Sequence, residues 1–133
     1  DIIGANIDPS HLLWQGMDIL EVIRDLGEAK AIHYFHAKDT QLFEHNIRKN
    51  GVLDTTSLAD IPNRAWAFRT LGYGHGEGLW KQIFSALKIA GYDDTVSIEH
   101  EDALMSPKEG LEKAVRLVRE SIITESNENL FWA

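Results

Sequence analysis

The chain has 133 residues, of which 44% are hydrophobic and 26% charged, enough for one domain with a real core but short of the about 250 residues of a complete α/β barrel. A net charge of −8, with the 13 basic residues scattered, argues against a nucleic-acid surface, because phosphate binding needs clustered Lys and Arg. There is no apolar stretch of the ~20 residues needed to span a bilayer and no cysteine, so no membrane partner is expected, the cytoplasm is the expected compartment, and any metal must take oxygen and nitrogen donors.

The opening, Asp1-Ile2-Ile3-Gly4-Ala5-Asn6-Ile7-Asp8, reads as a strand already under way, so the chain is expected to continue a longer one. Ile3 to Asp8 predicts a short buried strand closed by Pro9. Met17 to Leu26 predicts a helix, with Ile19, Ile23 and Leu26 at helical spacing and Gly27 as a C′ residue at positive φ. A second strand spans Ala31 to Lys38. Residues 40–72 show no sustained period, carry turn signals at Asn50-Gly51 and Pro62, and predict a long loop of the lid or binding kind.

Leu79 to Ala90 predicts the next helix, closed by Gly91, and Thr95 to His100 a third strand. The last helix has the strongest local signals: Ser106 as N-cap, Pro107 at N1 and Glu109 at N3 as a capping box. Leu111, Val115, Val118 and Ile122 predict its buried face. The apolar end Leu130-Phe131-Trp132-Ala133 is expected to dock on the domain. Strands alternating with helices imply a parallel sheet in a single domain over 1–133.

Strand periodicity then sorts the polar residues by face. In the third strand Ser97, Glu99 and Glu101 share one face, with Val96, Ile98 and His100 on the other; in the second, Ile32, Tyr34, His36 and Lys38 share a face and Asp39 follows. In the first, Asn6 and Asp8 share a face, with His11 three residues on. Three successive strands thus end in a candidate ligand, Asp8, His36 and Glu99, and parallel sheets bind ligands at their carboxyl ends. Asp, His and Glu together form a mixed oxygen and nitrogen set suited to one divalent cation (Mn, Mg, Co or Zn). The plainer alternatives are Asp8 as a turn or cap, His36 as a core histidine, and Glu99 and Glu101 paired structurally with Lys38 and Arg69. His33 and His100 are read as packing residues and His45 as a surface loop residue. The stretch Gly72 to Gly78 resembles a phosphate-cradling loop in composition but has neither dinucleotide nor P-loop spacing.

Four blocks carry a resemblance: Asp8-Pro9-Ser10-His11, His36-Ala37-Lys38-Asp39, Phe68-Arg69-Thr70-Leu71-Gly72-Tyr73-Gly74-His75-Gly76, and Ser97-Ile98-Glu99-His100-Glu101-Asp102. Together they resemble the sugar phosphate isomerase/epimerase family, the xylose-isomerase-like TIM barrels, over nearly the whole chain as the last three βα units of a (β/α)8 barrel. The resemblance implies one divalent cation held by Glu, Asp, His and Glu, of which Asp8, His36 and Glu99 match the last three; the first Glu would lie upstream of Asp1. It implies Glu99 as ligand and general base, His11 beside metal and substrate, and Lys38, Arg69 and His75 as substrate contacts. It also implies a small-molecule sugar or sugar phosphate, isomerised or epimerised by proton abstraction next to a carbonyl through an enediolate.

Rival readings are an inosose dehydratase or lyase on the same scaffold, an abasic-site endonuclease, which the −8 charge disfavours, and an inactive fragment whose open strand edges oligomerise. A homo-oligomer is expected in any case.

Overall fold

The computed structural model describes residues 3–125, 127 and 130. A three-stranded parallel sheet of β1 (Ala5–Ile7), β2 (Ile32–Ala37) and β5 (Val96–Ile98), in that order, forms the frame. Phe35 of β2 pairs with Ile7 on one side and Val96 on the other, and His36 lies beside Ser97. The side chains alternate as the pleat requires. Ile7, Phe35 and Ala37 are buried against Ile19 and Ile23 of α2 (Ile19–Glu28), Trp80, Ile83, Phe84 and Leu87 of α4 (Glu77–Ile89), and Ala114 and Leu117 of α5 (Pro107–Ser121). Asn6, Tyr34, His36 and Ser97 alternate with these core residues and are exposed or half-buried. The core helices pack against Ile7, Phe35 and Ala37, which leaves the face of Tyr34, His36 and Ser97 as the one able to carry a site.

The stretch 40–72 differs from the loop expected of it. Its ends form an antiparallel hairpin, β3 (Asp39–Leu42) with β4 (Trp66–Arg69), in which Asp39 pairs with Arg69. Between them lie a short helix, α3 (Glu44–Asn50), and a single 3-10 turn, Ile61–Asn63. The organising bonds run from side chain to backbone and leave no periodic trace in the sequence. Arg64, 2% exposed, donates from Nε to the Trp66 carbonyl (2.7 Å) and from Nη1 to the Thr56 carbonyl, and its guanidinium lies 4.6 Å from the Trp66 ring. Asp54 accepts from the Thr56 and Ala65 amides at 2.8 and 2.6 Å. Another element that the sequence reading lacked, α1 (Pro9–Leu13), starts directly on Asp8, whose Oδ1 caps it by accepting from the Ser10 amide at 2.9 Å.

Two helix details are also corrected. Gly27 lies inside α2, and Lys30 takes the left-handed position instead (φ 52°). A Cβ on Gly27 would come within 2.5 Å of the Ala90 Cβ, so the glycine permits α2 and the end of α4 to touch. In α5 the buried residues are Gly110, Ala114, Leu117 and Ser121, while Leu111 is 49% exposed and Val115, Val118 and Ile122 are only half-buried. Small side chains on that stripe bring the helix close to its support: a Cβ on Gly110 would fall 2.2 Å from the His100 ring. Ser106 caps α5 as expected, accepting from the Glu109 amide at 3.3 Å, but the Glu109 carboxylate pairs with Lys113 at 2.7 Å instead of closing a box. His45 lies on α3 and is exposed, as is His33. The expected docking of the apolar end falls on residues 131–133, outside the described residues; Leu130 itself is exposed.

Candidate active site at the carboxyl ends of the parallel strands

Each parallel strand delivers one polar group to the same end of the sheet. Asp8 follows β1, His36 is the penultimate residue of β2, and Glu99 follows β5, its amide still donating to the Ala37 carbonyl at 3.3 Å. Two of them, Asp8 and Glu99, meet at the ammonium of Lys38, and His36 joins them through Glu99. The Lys38 Nζ is 3.2 Å from Asp8 Oδ2, 3.2 Å from Glu99 Oε1 and 2.8 Å from Glu101 Oε2. The other oxygen of Glu99 is 3.4 Å from His36 Nδ1, which also lies 3.1 Å from Ser97 Oγ. His11, at the first turn of α1, brings Nε2 to 3.5 Å from Asp8 Oδ2 and sets its ring edge-on to Phe68. Asp8 therefore does two jobs: Oδ1 holds Ser10 and starts α1, and Oδ2 faces the site.

The electrostatics follow from one cation among several acids. The Lys38 side chain is 2% exposed, and burial alone would lower its pKa. Glu101, Asp8 and Glu99 outweigh that and raise it above the ordinary lysine value, so the group stays charged. Its other neighbour is the Phe68 ring, 4.5 Å from Nζ. Three carboxylates against one ammonium leave the cluster negative, an environment that attracts a further cation.

Arg69 and His75, expected as substrate contacts, are engaged elsewhere. Arg69 is buried, with Nε 3.1 Å from Asp102 Oδ2 and Nη1 bonded to Gln41 Oε1. Asp102 also accepts from the amides of Thr70 and Leu104, both at 2.8 Å, and so ties the β5–α5 loop to the hairpin. Burial pushes the Asp102 carboxyl up, but those amides and the Arg69 guanidinium more than offset it and hold the pKa below the usual aspartate value. His75 places Nδ1 3.0 Å from Asp39 Oδ1; that bond raises its pKa against the opposing effect of burial.

Asp39 is the least expected part of the site region. Fully buried, it accepts at Oδ2 from the amides of Gly72, Gly74 and His75 (3.0, 3.0 and 2.9 Å) and from Trp80 Nε1 (3.2 Å), while Oδ1 accepts from the Thr40 amide at 2.8 Å. The glycine-rich stretch thus cradles an anion, as its composition suggested, and the anion is the protein's own aspartate. Gly74 lets the chain come in, since a Cβ there would lie 2.3 Å from the Thr40 carbonyl oxygen. The sequence signal was present in the adjacency of Asp39 to the His36-Ala37-Lys38 block, but only the fold joins it to residues 72–80.

The profile of the xylose isomerase-like TIM barrel matches residues 1–121 of the chain. The chain belongs to that family. It is 40% identical over 121 residues to the uncharacterized protein YfiH of Bacillus subtilis (strain 168), a match that takes in 91% of this chain and 38% of that protein. The chain therefore spans well under half the length of the curated relative it matches. Within the xylose isomerase-like barrel, the sheet of β1, β2 and β5 is a run of neighbouring barrel strands, and its carboxyl end is where barrels of this architecture carry their sites. Asp8, His36 and Glu99 all lie at that end.

The donor chemistry fits a divalent ion: carboxylate oxygens and an imidazole nitrogen, with no cysteine thiolate in the chain. As they stand, no three His, Asp or Glu side chains among the described residues are disposed to hold one, and the Lys38 ammonium lies between Asp8 and Glu99. Among the described residues, no helix is long and apolar enough to cross a membrane.

Proposed function

We propose that this protein is a divalent-metal-dependent isomerase or epimerase of a small sugar or sugar phosphate. One observation supports the reading above the others: carboxylates from the ends of the two strands flanking β2, Asp8 Oδ2 and Glu99 Oε1, converge on a single cationic point at the end of β2, each 3.2 Å from it. Asp8, His36 and Glu99 would hold the ion, together with ligands supplied from outside this chain. When bound, it polarises a substrate carbonyl and so makes the neighbouring C–H more acidic.

The chain's own groups supply the rest. Glu99 takes the proton next to the carbonyl, generating an enediolate, and either returns it to the neighbouring carbon while a hydroxyl proton moves between the two oxygens (isomerisation), or leaves the same carbon to be protonated on its opposite face by an acid supplied from outside this chain (epimerisation). His36, within 3.4 Å of Glu99, fixes the orientation of that carboxylate. His11, with a half-exposed ring (51%), and the Lys38 ammonium are the donors best placed to bind hydroxyl oxygens near Asp8. Phe68, packed against both, gives the site an apolar wall. A cytoplasmic setting and assembly with further copies of the chain belong to the same proposal.

The test is solvent exchange. The full-length protein is incubated in D2O with Mn2+ and a panel of ketoses and ketose phosphates, and deuterium at the carbon next to the carbonyl is followed by NMR. The wild type is expected to incorporate label with substrate mass otherwise unchanged, and Glu99→Gln to abolish incorporation. Loss of one water from the substrate would move the assignment to a dehydratase, and undiminished exchange in Glu99→Gln would remove Glu99 from the base role.

A further inference from the structure

Lys38 stands where a cation is wanted. Its Nζ touches the two oxygens, Asp8 Oδ2 and Glu99 Oε1, that the proposed function assigns to the metal, and a third carboxylate, Glu101, which that function does not use. The side chain is 2% exposed, against 39% for Glu99 and 47% for Glu101, so the ammonium sits beneath the carboxylates and not out in solvent. Gathering three carboxylates without a counter-charge is unfavourable, and a lysine inserted among them removes the repulsion while the site is empty, at a cost in affinity for any cation that must displace it. An oxygen lone pair committed to a short ammonium contact is not available to a metal ion, and two cations sharing the same oxygens repel one another.

We infer that Lys38 is a built-in stand-in for the divalent ion: it holds Asp8 and Glu99 in place while the site is metal-free, and metal binds by displacing it from both. Glu101 is then the partner that keeps the displaced ammonium, being the closest of the three at 2.8 Å and no proposed ligand. The inference rests on the metal-dependent reading above. It assigns Lys38 a role separate from substrate contact: it positions the ligands and sets the metal affinity.

The test compares wild type and Lys38→Met in the full-length protein by two measurements that need no substrate. Thermal unfolding in EDTA is expected to show the variant less stable, because its carboxylates have lost their counter-charge. Calorimetric titration with Mn2+ is expected to show it binding about tenfold or more tighter, with its lost stability restored at saturation. Lys38→Arg, which keeps a cation there, is expected to bind Mn2+ no tighter than wild type. Should the methionine variant not fold, Lys38→Gln, neutral but still a donor, carries the same comparison. Wild type that binds Mn2+ alongside a neutral variant that binds no tighter overturns this inference and leaves the metal-dependent reading intact. Failure of both to bind Mn2+ overturns the two together.

Discussion

Replacing Asp39 by Asn tests how the site region is built, because it keeps the shape and removes one acceptor oxygen and the charge. Two oxygens of Asp39 receive donors from Thr40, Gly72, Gly74, His75 (backbone and ring) and Trp80. In the better of its two orientations the new NH2 takes the place of Oδ1, where it faces the Thr40 amide; His75 can change tautomer and accept from it, but Thr40 cannot. One buried amide is then unsatisfied, at about 1–3 kcal/mol, and the contacts on Oδ2 fall from charge-assisted to neutral, roughly 0.5–1 kcal/mol each. The sum is about 3–7 kcal/mol, which for a domain of this size lowers the midpoint of thermal unfolding by about 10–25 °C. Scanning calorimetry or circular dichroism reads it directly. A loss below about 1 kcal/mol would refute the idea that this carboxylate holds residues 72–80 in place.

Gly110→Ala should destabilise α5 even though alanine is the better helix former by about 1 kcal/mol, because its Cβ would meet His100, whose Nε2 lies 3.2 Å from the Met105 carbonyl oxygen; a higher unfolding midpoint for the variant would show that the helix and the His100 ring do not meet as described. The pH dependence has two arms. His75 has a raised pKa from its bond to Asp39, so its contribution is complete below the unfolded value of about 6.5 and is lost as pH climbs through the higher folded value; His75→Gln should flatten the stability profile on that alkaline side. Asp102 has a lowered pKa, so its contribution is present above about 3.9 and lost as pH falls through the lower folded value, and Asp102→Asn should flatten the acid side. Profiles that keep their slopes in these variants would detach the two groups from the stability they are assigned.

The parts of this protein governed by periodicity could be read directly. Phe35 and Ala37 alternate with Tyr34 and His36, and Trp80, Ile83, Phe84 and Leu87 recur at helical spacing; each pattern has one structural solution, and both faces came out as the spacing requires. The hairpin and short helix within 40–72 could not be read, since Arg64 and Asp54 organise them through bonds to backbone groups that no spacing encodes. Leu111 and Val115 misled because size was taken for burial, where the close approach of α5 at Gly110 and Ala114 selects small residues for the buried stripe. At the site, strand alternation was enough to place Asp8, His36 and Glu99 at one end of the sheet. It could not show that Lys38, on the same face, would point its charge back between two of them, nor that Arg69 would turn to Asp102 and Gln41; both depend on the length and flexibility of a side chain, which a face assignment ignores.

The central claim is that Asp8, His36 and Glu99 bind one common ion. Electron-spin-echo spectroscopy of the full-length protein loaded with one equivalent of Mn2+ tests it most directly, because a coordinated imidazole nitrogen modulates the echo. The account predicts modulation from one histidine that disappears in His36→Gln, with Mn2+ affinity falling by at least about tenfold in Asp8→Asn and Glu99→Gln. An echo without nitrogen modulation, or one that survives loss of His36, would contradict it.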